Sequence, residues 1–376
     1  MRLTNWSRSL LSASLIGLAA FSGACDNGTG SQTDDIVDTP NTAVERQSIG
    51  NCWLYATASW AEALHLMATG EAFDISQSYW TYWHWYDEIM TGFGDEIETG
   101  GSERISFDII RKRGLMAEAD FIAEDSVGEM SHRQASALKK INQELSTGRL
   151  TSVKSRTNGK LVRQVLDEAW GLTPEVRTML TTAFGSTGKR TYLTSATKKG
   201  TTIVRAKDFK VRYSERKTNP NVATVKDTTL AVAVDEWRTA FYPFSKSSRR
   251  DFQIRVQRAM HDGQPIIITW DVDFNAMESG QGSLRGSFNL DTLKNNGGPG
   301  SQGGHMTVLE DYEAETKEFG LLKAGETLDP NDPEDKAKLD AALDFTTEVK
   351  FWRIKNSWDR RSTPTERRAI SPKIAL

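Results

Sequence analysis

One stretch constrains this chain more than any other. Arg46-Gln47-Ser48-Ile49-Gly50-Asn51-Cys52-Trp53-Leu54-Tyr55-Ala56 is a polar loop that passes through a glycine directly into an apolar run. From Trp53 the apolar residues fall at Trp53, Ala56, Trp60, Ala63, Leu64 and Met67, a helical period that predicts one buried stripe and an end near Gly70. Asn51 then reads as the N-cap, with Cys52 at the first helical position. A thiol there feels the positive end of the helix dipole and unpaired backbone N–H groups, so its pKa is expected below the roughly 8.5 of a free thiol. The thiolate is the nucleophilic form. The alternative is an inert core thiol, the ordinary fate of a lone cysteine.

Two later stretches bear on that choice. Gly303-Gly304-His305-Met306-Thr307-Val308-Leu309 places a histidine at the start of a strand-like run, and Lys350-Phe351-Trp352-Arg353-Ile354-Lys355-Asn356-Ser357-Trp358 ends a second one in an asparagine. A base that can hold the thiol's proton, and a neutral amide that fixes the imidazole's tautomer without trapping its charge, are what nucleophilic thiol chemistry needs. Cysteine, histidine, asparagine is also the chain order of papain-like sites.

With these residues the sequence resembles the papain-like cysteine peptidases, most closely their bleomycin hydrolase branch. Phe73-Asp74-Ile75-Ser76-Gln77-Ser78-Tyr79 is similar to the segment after the nucleophile helix. Gly100-Gly101, with Phe107-Asp108-Ile109-Ile110 and Lys112-Arg113-Gly114-Leu115, is similar to the family's glycine pair and next helix, and Asp262-Gly263-Gln264-Pro265-Ile266-Ile267-Ile268 to its turn into a right-lobe strand. The resemblance covers roughly residues 46–120 and 236–358. It implies a two-lobed α+β fold: a helical left lobe over 46–121 with Cys52, a large insertion over 122–235, and an antiparallel β right lobe over 236–376 with His305 and Asn356. It also implies hydrolysis of a peptide or protein substrate through a thioester, with no cofactor. Cys52, His305 and Asn356 would be catalytic, and Gln47 with the Cys52 amide would steady the oxyanion. Gly100, Gly101 and Trp358 would bind substrate, with Trp358 also shielding the His305–Asn356 hydrogen bond. Gln47 stands one residue nearer the cysteine than the family's glutamine does. After Trp358 comes Asp359 and a basic tail in place of the family's glycine-tyrosine strand. A non-catalytic, peptide-binding surface protein on the same fold is the competing reading.

Arg2 and Arg8 precede an apolar stretch, Leu10 to Phe21, that is short for a membrane span and ends in Ser22-Gly23-Ala24-Cys25. This reads as a signal peptide over 1–24, with export from a bacterial cytoplasm. Cys25 suggests lipidation and membrane attachment; ordinary cleavage and free secretion is the alternative. Residues 25–45, polar and without apolar period, read as a flexible tether. The net charge of −3 points to no nucleic-acid partner, and two cysteines with five unpaired histidines leave no Cys/His metal site or disulfide framework. Oligomeric state is left open.

In the aromatic run Tyr79 to Tyr86 the spacing Tyr79, Trp83, Tyr86 favours core packing over carbohydrate or membrane contact, with His84 as a structural histidine. His65 is expected to face solvent or a neighbouring helix. Over 122–235 helices are expected at Ala135–Asn142 and Val162–Leu166 and strands at Thr191–Leu193 and Thr201–Val204. This basic stretch reads as a solvated insertion, or else as an accessory region that gates the cleft or docks on an anionic surface. Phe252–Met260 reads as a helix and Pro265–Trp270 as a buried strand, with the glycine-rich Asn295–Gly304 as a mobile loop delivering His305. Glu326 to Asp344 reads as an acidic hairpin, solvated rather than calcium-binding.

Overall fold

The computed structural model describes Thr42, residues 45–127, 130–190, 202–215, 223–278, 287–324, 326 and 328–358, and the backbone of 368–370. The signal-peptide and Cys25 expectations, the strand at Thr191–Leu193 and most of the tail after Trp358 lie outside these residues. No described helix is long and apolar enough to cross a membrane.

The helical part begins with α1 (Cys52–Thr69), α2 (Gln77–Met90), α3 (Glu103–Arg113) and the short α4 (Glu118–Phe121). It continues through α5 (His132–Ser146), α6 (Val153–Arg156), α7 (Gly159–Ala169) and α8 (Pro174–Phe184). A hairpin of β1 (Lys210–Glu215) and β2 (Thr224–Thr229) leads to α9 (Leu230–Glu236) and α10 (Lys246–His261). The second part holds β3 (Ile266–Asp273), α11 (Leu290–Asn295), β4 (Gln302–Thr316), β5 (Gly320–Leu322), α12 (Pro333–Ala342), β6 (Glu348–Lys355) and β7 (Arg368–Ile370). Its antiparallel sheet runs β3-β4-β6-β7, with β5 also on β4. The fold is α+β.

Helix α1 starts at Cys52 and stops at Gly70, whose φ of 73° ends the helix as only glycine does cheaply. Asn51 stands at the N-cap but does not cap: its side chain turns into the core and donates to Thr81 Oγ1 at 3.0 Å and Gln134 Oε1 at 3.0 Å. Buried amide hydrogen bonds outweigh a cap that solvent could replace. The aromatic run lies on α2, where Tyr79, Trp80, Tyr82, Trp83 and Trp85 are fully buried. The stretch read as a solvated insertion belongs to the same core. Ile141, Val165, Leu166, Leu180 and Phe184 pack in one cluster with Trp53, Leu54 and Trp83. Its basic residues are held too: Arg163 is 3% exposed and donates to Tyr82 Oη at 2.6 Å. Val204 pairs with Leu115 as an isolated bridge rather than in a strand.

A second cluster fills the sheet lobe around Trp270, Phe288, Tyr312, Trp352 and Ile354. Strand β4 serves both cores. Met306 and Val308 face the helical cluster, while Leu309, Tyr312 and Ala314 face the sheet cluster. An irregularity in its pairing with β6 between Leu309 and Asp311 shifts the side-chain alternation, as a bulge does. The acidic segment read as a hairpin contains α12 instead. Asp332 caps it by accepting from the amides of Glu334 and Asp335, with Pro333 at the first turn, a combination that starts a helix even in an acidic run.

Candidate active site

Cys52 opens α1, His305 lies near the start of β4, and Asn356 follows β6 directly. The antiparallel pairing of β4 with β6 carries Val308 opposite Lys355, which brings the histidine and the asparagine to the same end of the sheet. His305 Nε2 is 2.8 Å from Asn356 Oδ1. The same oxygen accepts the backbone N–H of Ser357 at 2.8 Å. A backbone N–H can only donate, so the atom it meets is the amide oxygen, and His305 Nε2 must carry a proton to bond there. In the neutral ring Nδ1 is then the basic nitrogen.

The ring is held flat between aromatics. Trp358 stacks on it at 4.5 Å between centroids and 26°, and Trp270 meets it edge-on at 5.8 Å. Trp358 is itself stacked on Phe274 at 5.7 Å. His305 is 5% exposed and Asn356 8%. Trp270 on β3, Phe274 in the turn after it and Phe288 before α11 meet the site only through space, on His305 or Trp358, so no sequence spacing marks them.

Cys52 is half-buried, and its sulfur lies within hydrogen-bonding reach of the Met306 backbone, next to His305, and of the amides of its own helix start. Those contacts lower the thiol pKa as the helix position predicted. Burial is larger and of opposite sign, so the thiol is raised, not depressed. The expectation of a low pKa from the helix terminus alone is thus corrected: desolvation of the sulfur outweighs the dipole.

Gln47 reaches the site differently from an oxyanion donor in open space. Its Nε2 donates to the Ile49 carbonyl at 2.8 Å, its Oε1 accepts from Ser357 Oγ at 2.5 Å, and its backbone N–H donates to the Ser357 carbonyl at 2.8 Å. The glutamine loop is therefore clasped to the residue after Asn356, tying the helical lobe to the sheet lobe. Gly100 and Gly101 lie exposed beside the start of α1. Nothing lies within 4 Å of a Cβ built on Gly100, whereas one on Gly101 would sit 2.3 Å from the Trp53 ring. Trp53 Nε1 donates to the Thr99 carbonyl at 3.0 Å, fixing that loop on the residue after Cys52.

A second tie between the lobes runs through buried charge. Lys355 donates to Thr42 Oγ1 at 2.8 Å, Thr42 donates to Glu62 on α1, and Glu62 accepts the Ile75 amide at 2.8 Å. Burial pushes the Glu62 carboxyl up to about 7, against the pull of Lys355. The signal for Glu62 was a carboxylate amid an apolar helix. Nearby, carboxylate oxygens of Glu45, Asp74 and Glu118 lie within 4.8 Å of one another, spacing that a divalent cation could bridge. Burial and the adjoining carboxylates push Glu45 well above the usual range.

His65 neither faces open solvent nor joins the site: it stacks on Phe209 at 4.2 Å, with Nδ1 2.7 Å from the Lys210 carbonyl oxygen.

No family model matches this chain. No curated protein matches it either. Among solved structures, it is similar to PepW from Lactobacillus rhamnosis HN001 at a TM-score of 0.42, with 12% identity over 92% of this chain and 80% of that one.

Proposed function

We propose that this protein is a papain-like cysteine peptidase, of the bleomycin hydrolase type, acting on peptide or protein substrates. The observation that carries this reading is the His305 tautomer: Asn356 Oδ1, fixed by Ser357 N–H, forces the Nε2 proton and leaves Nδ1 basic, while Cys52 lies against the very next residue of the same strand. Proton transfer from Cys52 to Nδ1 gives the thiolate–imidazolium pair. The thiolate attacks the peptide carbonyl, and the Cys52 amide steadies the oxyanion, with Gln47 a second donor if its clasp opens. His305 protonates the leaving amine, and water then releases the thioester. A thiol raised by burial is suited to this sequence only with the imidazole as its partner, since an imidazolium beside the sulfur supplies what the helix terminus alone does not. Export through residues 1–24 and lipid attachment at Cys25 complete the reading: a peptidase working in the bacterial cell envelope or outside it.

The raised Cys52 thiol favours one rival, a peptide-binding protein with an inert sulfur. Iodoacetamide alkylation across pH, read at Cys52 by mass spectrometry, separates them. The peptidase gives fast labelling well below pH 7 that His305→Ala abolishes, and Cys52→Ala ends peptide hydrolysis while the protein stays folded. Labelling that rises only near pH ~8.5 or above in both proteins rejects the pair, and undiminished hydrolysis by Cys52→Ala rejects the reading outright.

A further inference from the structure

Helix α2 is packed in aromatic side chains, yet two polar residues one turn apart on it, His84 and Glu88, have side chains only 13% and 24% exposed. Burying such groups is costly unless they are bonded. Both lie against one residue. Glu88 Oε1 accepts the backbone N–H of Glu98 at 2.8 Å. The His84 ring lies beside the backbone of Glu98, a neighbour that favours the protonated ring. Their remaining polar atoms, His84 Nε2 and Glu88 Oε2, face each other at 3.8 Å, buried and with no hydrogen-bond partner among the described residues. The His84 ring also meets Trp53 edge-on at 4.9 Å. The next residue, Thr99, is bound by Trp53 Nε1 and crowds Gly50, where a Cβ would lie 2.7 Å from Thr99 Oγ1. From this doubly held point the chain emerges as Gly100 and Gly101.

We propose that His84 and Glu88 are positioning residues that clamp the Glu98 main chain, Glu88 by accepting its N–H and His84 by packing against it and against Trp53, and so fix Gly100 and Gly101 against the start of α1 where a substrate backbone is bound. This deepens the peptidase reading and rests on it. The clamp is sensitive to protonation. Burial, with a contribution from the Glu98 carboxylate, raises the Glu88 carboxyl to about 7. Burial lowers His84, against the pull of the Glu98 backbone and of Asp87, so that the ring is neutral where Glu88 titrates. As pH rises through about 7, Glu88 must ionise in the buried setting that raised its pKa, so deprotonation favours its release from Glu98 and the clamp loosens. Substrate affinity therefore falls across that interval.

The test is amide hydrogen exchange over Glu98–Gly101 in the full chain, paired with peptide-hydrolysis kinetics. Glu88→Ala and His84→Ala are each expected to speed exchange there about tenfold with α1 unchanged, and to raise KM about tenfold with kcat within about twofold, as loss of uniform binding requires. Glu88→Gln keeps an acceptor and stays neutral, so it retains most of the protection and most of the affinity, but the rise in KM between pH ~6 and ~8 vanishes. Should an alanine variant fail to fold, Glu88→Gln and the pH dependence of exchange in the unaltered chain still decide the matter. Unchanged exchange over Glu98–Gly101 overturns the clamp, as does faster exchange with an unmoved KM. If even the unaltered protein hydrolyses no peptide, the peptidase reading fails, while exchange alone still judges the clamp.

Discussion

Replacing Gly101 with alanine tests how tightly the glycine loop is fitted to the nucleophile helix. A Cβ there would meet Trp53 Cε2, Cζ2 and Cδ2 at 2.3, 2.6 and 2.7 Å. The nearest of these is more than about 1 Å inside the ~3.5 Å at which carbon atoms rest. Trp53 has little room to withdraw: it is 1% exposed, backed by His84 and tethered to Thr99. Two responses are open. If the ring stays, the overpacking costs ~1–3 kcal/mol. If the exposed loop lifts instead, the Trp53–Thr99 hydrogen bond goes, at ~1 kcal/mol. The cheaper response sets the cost, so Gly101→Ala should lose ~1 kcal/mol by urea denaturation followed through tryptophan fluorescence, with the slope of the transition unchanged. Gly100→Ala is the control, since it adds a methyl to open space and should stay within ~0.5 kcal/mol. Equal effects at the two glycines, or no effect at Gly101, would refute the reasoning.

Two further outcomes follow from the site. Asn356→Ala leaves the His305 Nε2–H and the Ser357 N–H without their shared acceptor; peptide hydrolysis should fall about 10- to 100-fold in kcat/KM, matching ~1–3 kcal/mol of lost orientation, and Cys52 alkylation at pH ~6 should slow with it. Glu62 has a folded pKa of about 7, raised by burial above its ordinary value. Its contribution is thus fully present below the unfolded pKa of about 4.3 and is lost as pH rises to about 7, by roughly 3 kcal/mol. Glu88 adds a decline of the same sign. Glu62→Gln should flatten the fall of unfolding free energy between pH ~4.5 and ~7 without removing it entirely, and an unaltered slope would show that Glu62 is ionised throughout.

Sequence alone determined the elements that local periodicity controls. The helix from Cys52 to Gly70, the burial of the Tyr79–Tyr86 run, the strand carrying His305 and the strand ending at Asn356 were all legible, because apolar spacing and a glycine stop act within a few residues. Chain order named Cys52, His305 and Asn356 as a set. Only the tertiary structure decided what those residues experience. Asn51 abandons its cap for Thr81 and Gln134, Gln47 is clasped by Ser357 from the far end of the chain, and the Cys52 thiol is raised rather than lowered. Glu62 and Lys355 meet through Thr42, and the Glu98 N–H is held by Glu88 of α2. The physical reason is the same in each case. A hydrogen-bond partner or a desolvation energy depends on which atoms lie within a few ångströms in space, and residues hundreds apart in sequence leave no periodic mark of that meeting.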